Sequence, residues 1–150
     1  MREILFKAKR KNWKELPKEQ WWVKGYLWNG NDHSYIIPYN FGIGYDSDTN
    51  SLRATAYEID KDTICQYTGL TDKNGNKIWE NDIVRTTRKL GYMREKGEKL
   101  KVYFNKFLCH FALSFGHGED EAFDYMTLSG KKANFMEVVG NIFDNPELLQ

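Results

Sequence analysis

The chain has 150 residues, enough for one domain or two small lobes sharing a core, and a chain of that size buries roughly 68–70% of its unfolded surface without needing a disulfide or metal. A formal net charge of +1 excludes a global attraction to nucleic acid or anionic membrane, and no apolar run approaches the roughly 20 residues that span a bilayer. Aromatic residues make up 15% of the chain and recur along most of it, which favours strands and excludes a long disordered tail.

Residues 2–10 form a short apolar strand that gives way to charge, and residues 11–20 a charged loop punctuated by Pro17, with room for one helical turn. Residues 21–28 (WWVKGYLW) predict a strand. NGND follows, in which Asn29-Gly30 signals a hairpin with positive φ at the central positions of a type I′ turn, and residues 33–39 form the partner strand, which Pro38 confines to an edge or ends. A Gly- and Asp-rich loop follows. Residues 52–59 (LRATAYEI) alternate apolar and polar with period two, as in a strand with one core face.

Residues 60–63 predict a turn and residues 64–70 a strand. Asn74-Gly75 marks a tight hairpin before Ile78. Glu80-Asn81-Asp82 predicts a second tight turn, because Asn enters the left-handed region more easily than most residues, and it aims Ile83 and Val84 into a new strand. Two turns so close together change the chain's direction as small barrels require. Residues 85–101 carry seven basic and two acidic side chains, interrupted by Gly91 and Gly97, and predict a long basic hairpin loop. Residues 101–115 predict two aromatic strands with a turn near Asn105-Lys106. An acidic loop, a strand AFDYMTL, a turn SGKKAN and a closing strand over 135–143 follow. Asn145-Pro146 predicts a helix N-cap followed by Pro at the first helical position, hence a short terminal helical turn.

The opening MREILFKAKRKNW turns basic after three apolar residues, unlike a secretory leader, so Cys65 and Cys109 are expected as free thiols in a reducing cytosol. Both are expected to serve as small core hydrophobes. His33 and His110 fall in predicted strands as paired or half-exposed side chains. His117, Glu119 and Asp120 lack a second histidine at ligand spacing and predict a solvated acidic loop; no metal, cofactor or catalytic residue is expected.

Two long segments, QYTGLTDKNGNKIWENDIV and VVGNIFDNPELL, resemble the YopX family of small phage and prophage proteins. The family's pattern Q-Y-T-G-L-x-D-x-x-G-x-x-I-[YF]-E-G-D-I-V is met at Gln66 to Leu70, Asp72, Gly75, Ile78, Glu80 and Asp82 to Val84. Its C-terminal pattern is met at Val139 to Phe143 and Asn145 to Leu149. Asn81 replaces the usual Gly, which suits a turn at positive φ. The resemblance implies a mostly β fold with an N-terminal β-sheet subdomain (1–62) and a C-terminal SH3-like small β-barrel (63–150) in one compact unit. It also implies phage or prophage origin, a bacterial cytoplasm and no established activity.

Glu80 and Asp82 are two carboxylates two residues apart. Asp82 is expected to bond turn amides and Glu80 to pair with a lysine. Arg85, Arg88, Lys89, Tyr92, Arg94, Lys96, Lys99 and Lys101 form the best candidate contact surface, since cations hold phosphates while an aromatic ring stacks on bases. The alternative is a solvated hairpin neutralised by the acidic segments 46–62 and 119–124. Three classes of function stay open: a non-enzymatic interaction or assembly module with a protein partner, itself included; a sequence-nonspecific nucleic-acid module using the basic loop; and a hydrolase.

Overall fold

The computed structural model describes residues 3–39, 44–49, 51–89, 95–114 and 125–150 and is mostly β, with antiparallel pairing throughout and little helix. By its internal contacts the chain divides into two units, Met1–Gln66 and Tyr67–Gln150.

The first unit contains β1 (Phe6–Lys9), β2 (Trp22–Asn29), β3 (Ser34–Pro38), β4 (Gly44–Asp46), β5 (Ser51–Arg53), β6 (Tyr57–Glu58) and the start of β7 (Cys65–Thr71). Its sheet runs in the order β6-β3-β2-β1-β7, while β4 and β5 pair as a separate hairpin. One sheet face carries the core: Ala8, Val23, Ile36 and Ile59, with Phe6, Leu27, Tyr57 and Ile64 packed against them. On the opposite face Lys9 pairs in register with Trp22, and Lys7 with Lys24. The charged segment after β1 folds into 3₁₀ turns at Trp13–Glu15 and Lys18–Gln20. These bring Trp13 and Trp21 over Lys9, whose ammonium lies 3.9 Å and 4.5 Å from their ring centroids, so a buried lysine is enclosed by indole faces.

Two expectations for this unit are corrected. Gly30 is not at positive φ. The hairpin itself forms, β2 pairing with β3 across the four residues 30–33, and it is closed by Gly30 N–H donating to His33 O at 3.0 Å and the Ser34 hydroxyl to Asn29 Oδ1 at 2.5 Å. The strand expected over 52–59 breaks into β5 and β6, because each half pairs with a different neighbour, β4 and β3 respectively.

The second unit completes β7 and adds β8 (Lys77–Trp79), β9 (Asp82–Thr86), β10 (Lys99–Asn105), β11 (His110–Ser114), β12 (Tyr125–Thr127) and β13 (Met136–Asn141). A one-turn helix, α1 (Gly130–Ala133), follows β12, and a 3₁₀ turn at Pro146–Leu149 ends the chain. The sheet order is β12-β11-β10-β9-β13, and among the described residues no closed barrel forms. Ile78, Val84, Leu100, Val102, Phe111, Leu113, Leu128, Ala133 and Met136 form its core. The expected basic hairpin loop over 85–101 is shorter than predicted, since Arg85, Lys99 and Lys101 lie in paired strands. Asn145 makes no capping bond; its Oδ1 instead accepts from Asn141 N–H at 3.4 Å, while Pro146 opens the turn as expected.

Candidate functional site

The motif segment builds a bulged hairpin. Within β7 the register slips between Tyr67 and Thr71, where Gly69 sits at φ 84. The Thr68 hydroxyl fills the irregularity, donating to Ile78 O at 2.8 Å and accepting from Leu70 N–H at 3.2 Å. Such bulges re-aim a strand rather than weaken it. The hairpin then turns at Asn74 and Gly75, the latter at φ 83.

Asp72 ties this turn to the sheet. Its carboxylate accepts from the N–H groups of Asn74 (2.8 Å) and Asn76 (2.9 Å), from the Asn76 amide (3.2 Å) and from Val138 N–H on β13 (3.0 Å). Burial by itself would push the Asp72 carboxyl up, but together the hydrogen bonds, led by Val138, hold it below the ordinary carboxylate value.

Asn81 stands at φ 65, as expected for the second turn. Asp82, buried, accepts from Trp79 N–H at 2.8 Å, so it bonds a turn amide as its position predicts. Glu80 forms no ion pair with a described residue. Of the two lysines of this region, Lys73 goes instead to Glu137 at 2.8 Å, because β13 lies alongside β9 and carries that carboxylate, and Lys77 lies 4.3 Å from the Tyr67 ring centroid. Asn74, Gly75, Glu80, Asn81 and Asp82 therefore line two successive turns.

The basic stretch is partly neutralised within its own unit. Arg85 pairs with Glu137, its Nε donating at 2.7 Å. Together Lys73 and Arg85 hold the Glu137 carboxyl below its ordinary range, chiefly through their hydrogen bonds. Lys89 pairs with Glu95 at 2.9 Å, and the Arg88 guanidinium lies over the Phe135 ring. Lys96 and Lys99 are exposed and Lys101 is half-buried. Tyr92 and Arg94 lie outside the described residues, as do His117, Glu119 and Asp120. No cluster of potential metal ligands occurs among the described residues.

Two surfaces stand out that sequence reasoning missed. One is the β10–β11 tip. Asn105 is buried, and its Oδ1 accepts from Phe107 N–H at 3.0 Å and Leu108 N–H at 3.1 Å. Cys109 closes the turn at φ 52 and is exposed, not part of the core as expected; Cys65 is buried, and neither forms a disulfide. The turn holds Phe107 out at 91% exposure and Leu108 at 48%. The signal was the run FNKFLCHF, whose aromatic residues exceed what two inward strand faces use.

The other surface lies on the first unit, where β2 begins and β3 ends. A cleft of about 410 Å³ is lined by Arg10, Gln20, Trp22, Lys24, Tyr39 and Tyr57, together with Val23 and Pro38. His33 lies outside the strands and pairs with Glu58 at 2.9 Å, while His110 opens β11 half-exposed.

Sheets, bulges and paired turns define a small antiparallel β protein of two units, in which the motif residues serve the turns. The chain belongs to the YopX family: the family model described as YopX protein matches residues 18–150. It is similar in fold to protein EF1440 from Enterococcus faecalis, known from a crystal structure, at 22% identity and a TM-score of 0.63 over 100% of both chains. No curated protein matches the chain. No described helix is long and apolar enough to cross a membrane.

Proposed function

We propose that the chain is a non-enzymatic phage or prophage accessory protein, acting in the bacterial cytoplasm as an interaction or assembly module for a protein partner. The observation that carries this reading is the β10–β11 tip, with Phe107 91% exposed on a turn fixed by a buried asparagine. A phenylalanine side chain gains roughly 1.5–3 kcal/mol when moved fully out of water, and a partner seated on the tip would supply that burial. The fixed turn also lowers the ordering cost of binding. The SH3-like character of the Tyr67–Gln150 unit belongs to the same proposal, supported by its meander of short strands and by the irregular registers of β7 and β13.

A photo-crosslinking phenylalanine analogue at position 107, expressed in phage-carrying cells, tests the proposal. The expected result is a discrete protein adduct that survives nuclease treatment and is missing when the analogue sits at position 131. Absence of an adduct, or equal adducts at both positions, would refute it.

A further inference from the structure

The cleft of the first unit holds Arg10 and Lys24 as cations, Trp22, Tyr39 and Tyr57 as rings and, among the described residues, no carboxylate in its lining. The Arg10 guanidinium is fixed 4.4 Å from the Tyr57 ring centroid. Strand β2 extends this chemistry. Trp22, Lys24, Tyr26 and Trp28 alternate onto one face, with Tyr26 57% and Trp28 58% exposed. Register places Tyr35 of β3 beside Trp28, their ring centroids 5.8 Å apart. Tyr39, just past β3, is 50% exposed at the cleft. Trp22 and Lys24 thus belong to both the cleft and the row.

From this arrangement we propose that the cleft and the outer face of β2 bind single-stranded nucleic acid. Alternate residues on a strand are about 6.8 Å apart, a step within the reach of one extended nucleotide. Exposed rings at that spacing offer successive bases a stacking surface, and the cations at the cleft hold phosphates. A duplex hides its base faces and cannot use the rings. The alternating ring and cation chemistry carries no hydrogen-bonding code, so recognition is indifferent to sequence. This surface shares no residue with the β10–β11 tip, and Phe107→Ser changes none of its side chains.

Fluorescence anisotropy with labelled dT15, a duplex of equal length and dTMP as competitor provides the test. At low salt dT15 is expected to bind at least about tenfold more tightly than duplex. Its affinity should fall with a log–log salt slope of about 0.7 per phosphate held, and Lys24→Gln should reduce that slope by about one such step. Tyr26→Ala and Trp28→Ala should each weaken binding by about tenfold without moving the melting temperature. The pair Arg88→Glu and Lys89→Glu should leave binding unchanged. No retention of dT15 would overturn the proposal, as would equal affinity for duplex. So would competition by dTMP at the affinity of dT15, which would mean a cleft that takes one nucleotide and no strand. Loss of binding in the Arg88 and Lys89 variant, with the ring variants unaffected, would move the site to the basic stretch and refute it equally.

Discussion

Asn81 is held in the left-handed region from both sides. Its N–H donates to Val102 O at 2.8 Å, and its carbonyl accepts from Ile142 N–H at 3.0 Å. The turn cannot relax to negative φ without breaking contacts to β10 and to the chain just beyond β13. A Cβ in that region costs about 1–2 kcal/mol, and a β-branched side chain costs more, about 2–3 kcal/mol. Asn81→Gly relieves the Cβ but loses the amide and adds freedom to the unfolded chain, so its net effect should stay below about 1 kcal/mol. Asn81→Ala should cost about 1 kcal/mol and Asn81→Val about 2–3 kcal/mol. For a unit of this size, 1 kcal/mol moves the melting temperature by about 4–8 °C. Urea unfolding and a thermal melt of the three variants should therefore rank Gly above Ala above Val, with Val lower than Gly by roughly 10 °C. Equal midpoints for Val and Gly would refute the reasoning, because strain at φ 65 would then not be what the position selects against.

The Asp72 and Glu137 carboxyls both lie below their ordinary values in the folded chain, so their contribution to stability is complete above about pH 4 and is lost as the pH falls through the folded values. The double variant Asp72→Asn, Glu137→Gln should be less stable than wild type at neutral pH yet lose less between about pH 5 and pH 2.5, measured as urea midpoints. Gly25→Ala should cost about 3 kcal/mol, since a Cβ there would lie 2.7 Å from the Ile37 carbonyl carbon and 2.8 Å from Pro38 Cα, forcing β2 and β3 apart. Denaturation midpoints check this, and a neutral outcome would contradict the close approach. Titration with a thiol reagent should find Cys109 reacting at once and Cys65 only on unfolding, two thiols per chain in all.

Turn chemistry was the most legible part of the sequence. Asn81 stands at positive φ because its residue type tolerates it, and Gly75 closes the hairpin that Asn74-Gly75 announces. Asn29-Gly30 carries the same letters and does join two paired strands, but Gly30 keeps out of positive φ, because the Ser34 hydroxyl engages the Asn29 side chain and Lys61 donates to the Gly30 and Asn31 carbonyls. Strand identity was legible from aromatic and β-branched runs, but strand partners were not. That Arg85 would meet Glu137 is a fact of β9 lying beside β13, more than fifty residues on in the chain. For the same reason the basic stretch looked freer in sequence than it is in the fold. The N-terminal cleft was hidden in the opposite way: Arg10, Gln20 and Tyr39 are distant letters until 3₁₀ turns and strand pairing bring them to one place.

The enclosure of Lys9 has an optical consequence. Four of the five tryptophans (13, 21, 22 and 28) lie in the first unit, and only Trp79 lies in the second. Trp13 and Trp21 meet edge to face with centroids 4.8 Å apart, close enough for their excited states to couple. Far-ultraviolet circular dichroism should carry a couplet from these two rings, superimposed on the weak strand spectrum. That band would make the protein look poorer in β structure than it is. It would also report on one half of the chain alone, disappearing when the lysine's indole housing opens, even while the strands around Trp79 persist.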